Sequence, residues 1–309
     1  MNNNKSICAL NADKNNCLPN TVIQSLSEVV LSDPKNIIIP KISKALNCDT
    51  NLSLPDQELC ILNKIKNKTD DENLKQAIDK QVLKNFKIPT QSLDKNYWLN
   101  NTEIDNIQFQ FQSNCPGYYY STIHMIDLEN FTPSNSDIIL HSDKLYNIKD
   151  IDFPTELLSK IKNGSANAKL TYNGDLKYYG MVCNTDLSTS GGLHWFSIFI
   201  DFTKKPIQIE YFNSSGLPLT RGNHIKERTT FYEFFKNMAD ELTKQGFPAK
   251  FIQVTEIEHQ RDDTANCGSY SLFYIWSRLK GKPHTMFTNT KITDELMENF
   301  RGVLWRTKK

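Results

Sequence analysis

Two apolar segments on either side of a short break constrain the fold of this chain most strongly. Residues 195–201 (WFSIFID) are almost wholly apolar and follow Gly191-Gly192, which is typical of a buried strand. Pro206 breaks the pattern, and residues 207–212 (IQIEYF) form a second apolar segment, ended by the turn sequence 213–216 (NSSG). Together the two segments predict an antiparallel hairpin.

Helices and further strands are predicted around this hairpin. Residues 229–245 repeat aromatic and apolar side chains at helical spacing and end before Gly246, a common C-terminal cap. Residues 251–257 alternate as a third strand, and residues 267–280 form an apolar helix. The alternation of residues 107–111 (IQFQF) predicts one more, half-buried strand.

The N-terminal part of the chain has a different pattern. Apolar residues recur at helical spacing in three segments, 19–33, 56–67 and 71–86. We therefore predict two domains, a helical arm domain at 1–88 and a catalytic domain at 89–309.

Composition sets limits on function. The 309 residues include 39% hydrophobic residues, enough for a buried core. The 36 basic and 35 acidic residues leave a net charge of +1, so a nucleic-acid partner is not expected. No apolar run is long enough to predict a membrane span. The seven cysteines include no Cys-x-x-Cys pair, which argues against zinc, and we expect most of them to be reduced, buried thiols.

Four residues in the last third of the chain could form a thiol-based catalytic site. Cys267 opens a predicted helix, where the helix dipole and unpaired N–H groups favour the nucleophilic thiolate. His194 precedes a predicted strand and could accept the thiol proton. Gln260, across a polar loop from Cys267, could donate a hydrogen bond to an oxyanion. Asn213 could orient the imidazole; Glu210 is the alternative, but strand alternation places it on the opposite face.

Neighbouring residues are candidates for substrate binding. Trp195 could be a core residue or one wall of a narrow groove. Gly268 leaves space where a substrate carbonyl would approach, and Asn266 lies directly before the nucleophile. Trp98 belongs to a segment near the predicted domain boundary.

These motifs resemble a family of proteases. His-Trp, an Asp or Asn, Gln, a short polar loop and Cys-Gly follow the pattern of the cysteine protease superfamily that joins SUMO-specific proteases with adenovirus proteinase. Residues 192–195 (GLHW) and 211–216 (YFNSSG) are most similar to the branch of polyprotein-processing proteases from African swine fever virus and related large DNA viruses. Asn213, where most of the superfamily has Asp, fits that branch, and residues 98–101 (WLNN) resemble the start of its catalytic domain.

The resemblance implies both fold and function. It implies an α+β fold with a central mixed sheet flanked by helices, and a thiol peptidase without metal or organic cofactor. It further implies cleavage after Gly-Gly-type sequences in a viral structural polyprotein during virion maturation, in the host cytoplasm, at the viral factory, and in the virion. The alternatives are a SUMO or ubiquitin-like deconjugating protease with the same catalytic residues, and an inactive, virion-associated binding protein.

Overall fold

The chain forms two compact units. The computed structural model describes residues 7–10, 16–32, 38–120, 123–127, 177–244 and 246–307. One unit comprises Met1–Leu93 with Arg301–Lys309, and the other comprises Asp94–Phe300. The units differ from the predicted domains mainly at the C-terminus, because residues 301–309 lie with the first unit.

The first unit is mainly helical. Side chains cap two of its helices, since the Ser53 hydroxyl accepts a bond from the Asp56 N–H and the Asp71 carboxylate accepts bonds from the next turn. Ile88 pairs with Trp305 in a short parallel sheet. The elements are α1 (Asn20–Leu31), α2 (Ile39–Ala45), α3 (Leu54–Lys68), α4 (Glu72–Asn85), β1 (Ile88–Thr90) and a C-terminal strand, β8 (Trp305–Thr307). The helices predicted at 19–33, 56–67 and 71–86 are thus found within a few residues, although residue 33 lies outside the described part.

Two disulfides contradict the expectation that most cysteines are reduced. Cys8 is bonded to Cys17, and Cys48 is bonded to Cys60. The free cysteines are Cys115, Cys183 and Cys267. The expectation was wrong because pairing depends on which thiols the helices bring together, and this is not visible in cysteine spacing.

The second unit is built on a central mixed sheet. Among the described residues it has six strands, in the order β2-β4-β5-β6-β7 with β3 beside β4. The β5–β6 pair is antiparallel, and β6–β7 is parallel. The elements of the unit are α5 (Asn101–Asn114), β2 (Tyr118–Tyr120), β3 (His124–Met125), β4 (Tyr178–Asn184), β5 (Trp195–Asp201), β6 (Ile207–Phe212), α6 (Ile225–Lys244), β7 (Ala249–Val254), α7 (Cys267–Leu279), α8 (Thr285–Asn289) and α9 (Asp294–Leu304, which continues into the first unit).

Helices cover both faces of this sheet. On one face, Phe196 of β5 packs edge-on against Phe231 of α6, at 5.4 Å between ring centroids. On the other face, Phe212 of β6 stacks on Tyr274 of α7 at 4.4 Å. A strand between two helical layers buries both its faces, which explains why five of the seven residues of β5 are apolar. The predicted α+β fold with a central mixed sheet flanked by helices is confirmed.

The strand predicted at 107–111 is wrong, because these residues lie within α5. Asn100 and Glu103 form a reciprocal capping box that starts this helix. Gln108 and Gln110 are buried along with their apolar neighbours, so the alternation of polar and apolar residues does not mark an exposed face. The strand predicted at 251–257 is β7, which begins and ends a few residues earlier.

None of the described helices combines the length and apolar character needed to cross a lipid bilayer.

Candidate active site

The loop before β5 fixes the main chain of His194. The Asn184 Oδ1 atom accepts hydrogen bonds from the N–H groups of Leu193, at 2.9 Å, and His194, at 3.4 Å. The His194 carbonyl accepts a bond from the Thr185 N–H at 2.8 Å. Gly192 has a φ of +93°, and a Cβ atom there would lie 3.0 Å from Asn184 Nδ2. Glycine is therefore required where this loop turns toward the histidine.

The side chain of Asn213 contacts the His194 ring. The distance from Asn213 Oδ1 to His194 Nε2 is 2.7 Å. The same oxygen accepts bonds from the Ser215 N–H, at 2.9 Å, and the Ser215 hydroxyl, at 2.8 Å. On its other side, Asn213 Nδ2 donates to the Tyr211 hydroxyl at 2.9 Å and to the Leu217 carbonyl at 3.2 Å. Every polar atom of this buried amide thus has a partner.

These contacts determine the tautomer of His194. The Ser215 main-chain N–H can only donate, so the atom of Asn213 that it meets must be the amide oxygen. That oxygen can only accept, so His194 Nε2 must carry the proton that it donates. The lone pair of the neutral imidazole is then on Nδ1, which is free to act as a base. Asn213 can therefore orient the histidine for general-base catalysis.

The surroundings of His194 also favour the neutral ring. Burial lowers the pKa of His194 to about 4; the hydrogen bond to Asn213 acts in the opposite direction, and the positive charge of Arg228 lowers the pKa further. At neutral pH the imidazole is therefore uncharged and can accept a proton.

The contacts of Asn213 predict the effect of an aspartate at this position. The resemblance to the superfamily implies that Asn213→Asp retains substantial activity. However, the aspartate would place a carboxylate oxygen where Nδ2 now donates to the Leu217 carbonyl, so that two acceptors would face each other. We expect kcat to fall about tenfold or more, since an unpaired buried acceptor costs about 1–3 kcal/mol. Steady-state kinetics on a peptide substrate measures this.

The exposed Asn223 provides a matched control. Asn223→Asp adds the same charge to the unit and should leave kcat unchanged. Wild-type turnover by Asn213→Asp would show that the site does not depend on the amide donor.

Glu210, the alternative orienting residue, lies in a different cluster. Its carboxylate accepts bonds from Arg278 Nε at 2.8 Å and from the Tyr274 hydroxyl at 2.7 Å, both on α7. Burial alone would raise its pKa, but hydrogen bonds from His284 and the charge of Arg278 lower it below the ordinary value. Glu210 is therefore an ionised partner of a buried arginine on the face of the sheet that packs against α7.

Gln260 is held between the end of β6 and the segment before α7. Its Oε1 atom accepts a bond from the Ser214 hydroxyl at 2.9 Å, and its main-chain N–H donates to the Ser214 carbonyl at 3.0 Å. Its Nε2 atom donates to the Thr264 carbonyl at 2.7 Å. One of the two amide hydrogens is used in this bond, and the second can serve an oxyanion. Since Ser214 directly follows Asn213, the candidate oxyanion donor is bonded to the residue next to the orienting amide.

Cys267 is the first residue of α7 and is fully buried. The following residue, Gly268, packs so closely on Trp195 that a Cβ atom would lie 3.2 Å from Trp195 Cδ1. Because Trp195 directly follows His194, this contact brings the cysteine and the histidine to the same edge of the sheet. A substrate can reach the buried sulfur only when the surrounding chain moves.

The predicted substrate-binding residues are placed differently from one another. Trp195 is 5% exposed, and its Nε1 atom donates to the Leu99 carbonyl at 3.1 Å. Its position is therefore that of a core residue and not that of a groove wall. Gly268 is also buried, and the space beside it is filled by Trp195, Leu99 and Ile104. Asn266 is fully buried. Trp98, at 52% exposed, is the one of these four that faces solvent.

Several residues that support the site were not predicted. Asn184 is the last residue of β4 and Ser215 follows β6, and both belong to turn-forming sequences (NTD and NSSG), which is a usable signal. Tyr211 supports Asn213 from inside the sheet, and Asp294 bonds to the loop before Cys267 from another helix. These two residues have no local signal, because their role depends on tertiary contacts.

The site combines a cysteine at a helix N-terminus, an imidazole oriented by an amide, and a nearby glutamine. This combination is characteristic of cysteine peptidases. Residues 175–305 match the Ulp1 protease family in its C-terminal catalytic domain. Residues 175–305 are therefore similar to the catalytic domain of the Ulp1 protease family, and the resemblance inferred from the sequence is confirmed.

Viral proteases are among the similar proteins. The SUMO-1 cysteine protease of African swine fever virus, from a Kenyan pig isolate, is 42% identical over 128 residues, which are 41% of this chain and 44% of that protein. The match thus spans less than half the length of this curated relative. A crystal structure of a protease of African swine fever virus superposes with a TM-score of 0.61 at 26% identity, covering 98% of this chain and 96% of that chain.

Proposed function

We propose that this chain is a cysteine endopeptidase that cleaves after Gly-Gly-type sequences in viral structural polyproteins during virion maturation. The hydrogen bond of 2.7 Å between Asn213 and His194 is the observation that carries the proposal. It leaves Nδ1 of a neutral imidazole as a base at the edge of the sheet where Cys267 begins its helix. Similarity to the protease of African swine fever virus supports the viral substrate.

Acylation begins with proton transfer from the Cys267 thiol to His194 Nδ1. The sulfur then attacks the carbonyl carbon of the scissile peptide bond and forms a tetrahedral intermediate. When the carbon–nitrogen bond breaks, the imidazolium returns the proton to the leaving amine. Water, activated by the same imidazole, hydrolyses the thioester and regenerates the thiol.

The negative oxygen of the tetrahedral intermediate needs hydrogen-bond donors. The second Nε2 hydrogen of Gln260 and the main-chain N–H of Cys267 are the two candidates. The main-chain N–H of Cys267 lies at the start of α7, where the helix dipole adds a favourable field for a negative oxygen. Two such fixed donors are sufficient for an oxyanion hole.

Specificity for small residues is expected before the scissile bond. In a matched set of peptides, Gly→Leu at either of the two positions before the cut should lower kcat/KM about hundredfold, because the resemblance implies a groove too narrow for a side chain at these positions. The same change after the cut should have a much smaller effect. Equal tolerance at all positions would refute the specificity.

Digestion of protein substrates separates the proposed function from the main alternative. A relative is named a SUMO-1 cysteine protease, which makes a deconjugating protease the second candidate. Purified enzyme is incubated with a viral structural polyprotein and, separately, with SUMO and ubiquitin conjugates. Cleavage of the polyprotein supports the proposal, whereas preferential cleavage of the conjugates supports the second candidate. Cleavage of neither substrate, even at high enzyme concentration, would favour the inactive binding protein.

We also propose that the protein acts in the host cytoplasm, at the viral factory, and in the virion, where a maturation protease meets its substrate. Immunoblots of purified particles and of cytoplasmic fractions from infected cells test this location. Absence of the protein from particles would contradict it.

A further inference from the structure

A buried carboxylate on α9 holds the segment between Gln260 and Cys267. Asp294 is the first residue of this helix and is 5% exposed. Its Oδ2 atom accepts a bond from the Arg261 main-chain N–H at 3.0 Å. Its Oδ1 atom accepts bonds from the Thr264 hydroxyl at 2.8 Å and from Asn266 Nδ2 at 3.0 Å. One side chain thus bonds to three residues of a single short segment.

The donors to Asp294 adjoin both candidate oxyanion donors. Arg261 directly follows Gln260, and Asn266 directly precedes Cys267. Thr264 links the two ends, because its carbonyl accepts the bond from Gln260 Nε2 at 2.7 Å. Asp294 therefore bonds close to both ends of the segment that separates the Gln260 amide from the Cys267 main-chain N–H.

Each of these contacts requires an acceptor. A carboxylate has two oxygens that accept, whereas an amide has one oxygen and an NH₂ group that only donates. An asparagine at this position would place NH₂ against at least one donor of the segment. The Arg261 guanidinium is only a weak additional partner, since its Nε atom lies 3.8 Å from Asp294 Oδ2 and 3.1 Å from Asp263.

We propose that Asp294 is a positioning residue that sets the geometry of the oxyanion hole by holding both ends of the segment 260–267. This inference rests on the proposed peptidase function. Asp294 acts through Gln260 and Cys267 and does not itself contact the reacting atoms.

The test compares Asp294→Asn with Glu295→Gln. Both changes remove one negative charge from the first turn of α9, so they share any effect on the helix dipole, but Glu295 is exposed. Asp294→Asn should lower kcat about 10- to 100-fold on a Gly-Gly peptide while KM changes less than about threefold, since small misplacements of catalytic groups have effects of this size. Glu295→Gln should match wild type.

Alkylation of Cys267 by iodoacetamide separates positioning from simple loss of structure. Displacement of iodide forms no oxyanion, so Asp294→Asn should react at nearly the wild-type rate while its kcat is reduced. Parallel loss of alkylation and kcat, or kcat at the wild-type level, would overturn the inference.

A milder variant covers the case in which Asp294→Asn does not fold. Thr264→Val removes one donor to Asp294 and keeps the shape of the side chain. It should show the same pattern with a smaller loss of kcat, and unchanged kcat would overturn the inference. Failure of the proposed function can be distinguished from failure of this inference. Wild-type enzyme that cleaves no substrate would refute the proposed function, whatever the variants do.

Discussion

Replacing Cys267 with alanine is expected to abolish peptide hydrolysis while leaving the fold intact. The change removes the only atom that can form the thioester, so kcat should fall by at least about 10⁴-fold, to the limit of detection. The side chain loses a single buried sulfur atom, which costs little packing area. Peptide assays with active-site titration, together with the melting temperature, measure both quantities.

Cys183→Ala is the matched control for this variant. Cys183 is free and fully buried, as Cys267 is, but it lies in β4 within the hydrophobic core. The same chemical change there should leave activity within about twofold of wild type. Cys183 is not one of the proposed catalytic residues, and the cavity that the change leaves is small. Near-wild-type turnover by Cys267→Ala would show that another group is the nucleophile.

Replacing His194 with alanine should lower kcat/KM by about 10³-fold or more. The variant removes both the acceptor of the thiol proton and the donor to the leaving amine. The donor that meets Asn213 Oδ1 would be lost as well, but both Ser215 donors remain, so this amide stays fixed. We expect kcat/KM of the variant to stay low when the pH is raised, because a higher pH ionises the thiol but does not supply a proton to the leaving amine.

Glu210→Gln tests the alternative orienting residue with a single substitution. Glu210 is bonded to Arg278 and Tyr274, so neutralising it should lower the melting temperature by weakening a buried ion pair. Turnover by the folded fraction should remain that of wild type. If Glu210→Gln were as damaging to kcat as His194→Ala, the orienting residue would have to be reassigned to the glutamate.

The hairpin was the most predictable part of the fold. Strands β5 and β6 have the bounds expected from the sequence, because glycine, proline and a turn sequence mark their ends. Burial on both faces makes β5 almost wholly apolar, and this pattern is hard to confuse with an amphipathic helix of the same length.

The prediction of secondary structure from sequence failed where polar side chains are buried. In α5, Gln108 and Gln110 are buried beside apolar neighbours, so a helix showed the alternation of a strand. The disulfide of Cys48 and Cys60 was not foreseen either, because the packing of α2 against α3 brings the two residues together. Both errors arise from tertiary contacts that a local pattern does not contain.

The candidate site shows the same division. His194, Asn213, Gln260 and Cys267 were predicted because each stands at or near the end of a predicted element and has a recognisable chemistry. Asp294 lies 28 residues beyond Asn266, with no motif to link them, and only the fold brings the two side chains into contact. Sequence thus indicates candidate reacting groups more readily than the residues that hold them in place.

Covalent labelling by a substrate-like probe tests the central claim most directly. A Gly-Gly peptide whose C-terminal carboxyl group is replaced by an α,β-unsaturated methyl ester, to which a thiolate adds to form a stable thioether, is incubated with the enzyme, and the adduct is located by mass spectrometry. Cys183 is as buried as Cys267, and burial raises the pKa of its thiol, so selective labelling cannot result from exposure alone. The account predicts a single adduct on Cys267 that forms much more slowly in His194→Ala. An adduct on Cys115 or Cys183, or active enzyme that is never labelled on Cys267, would contradict it.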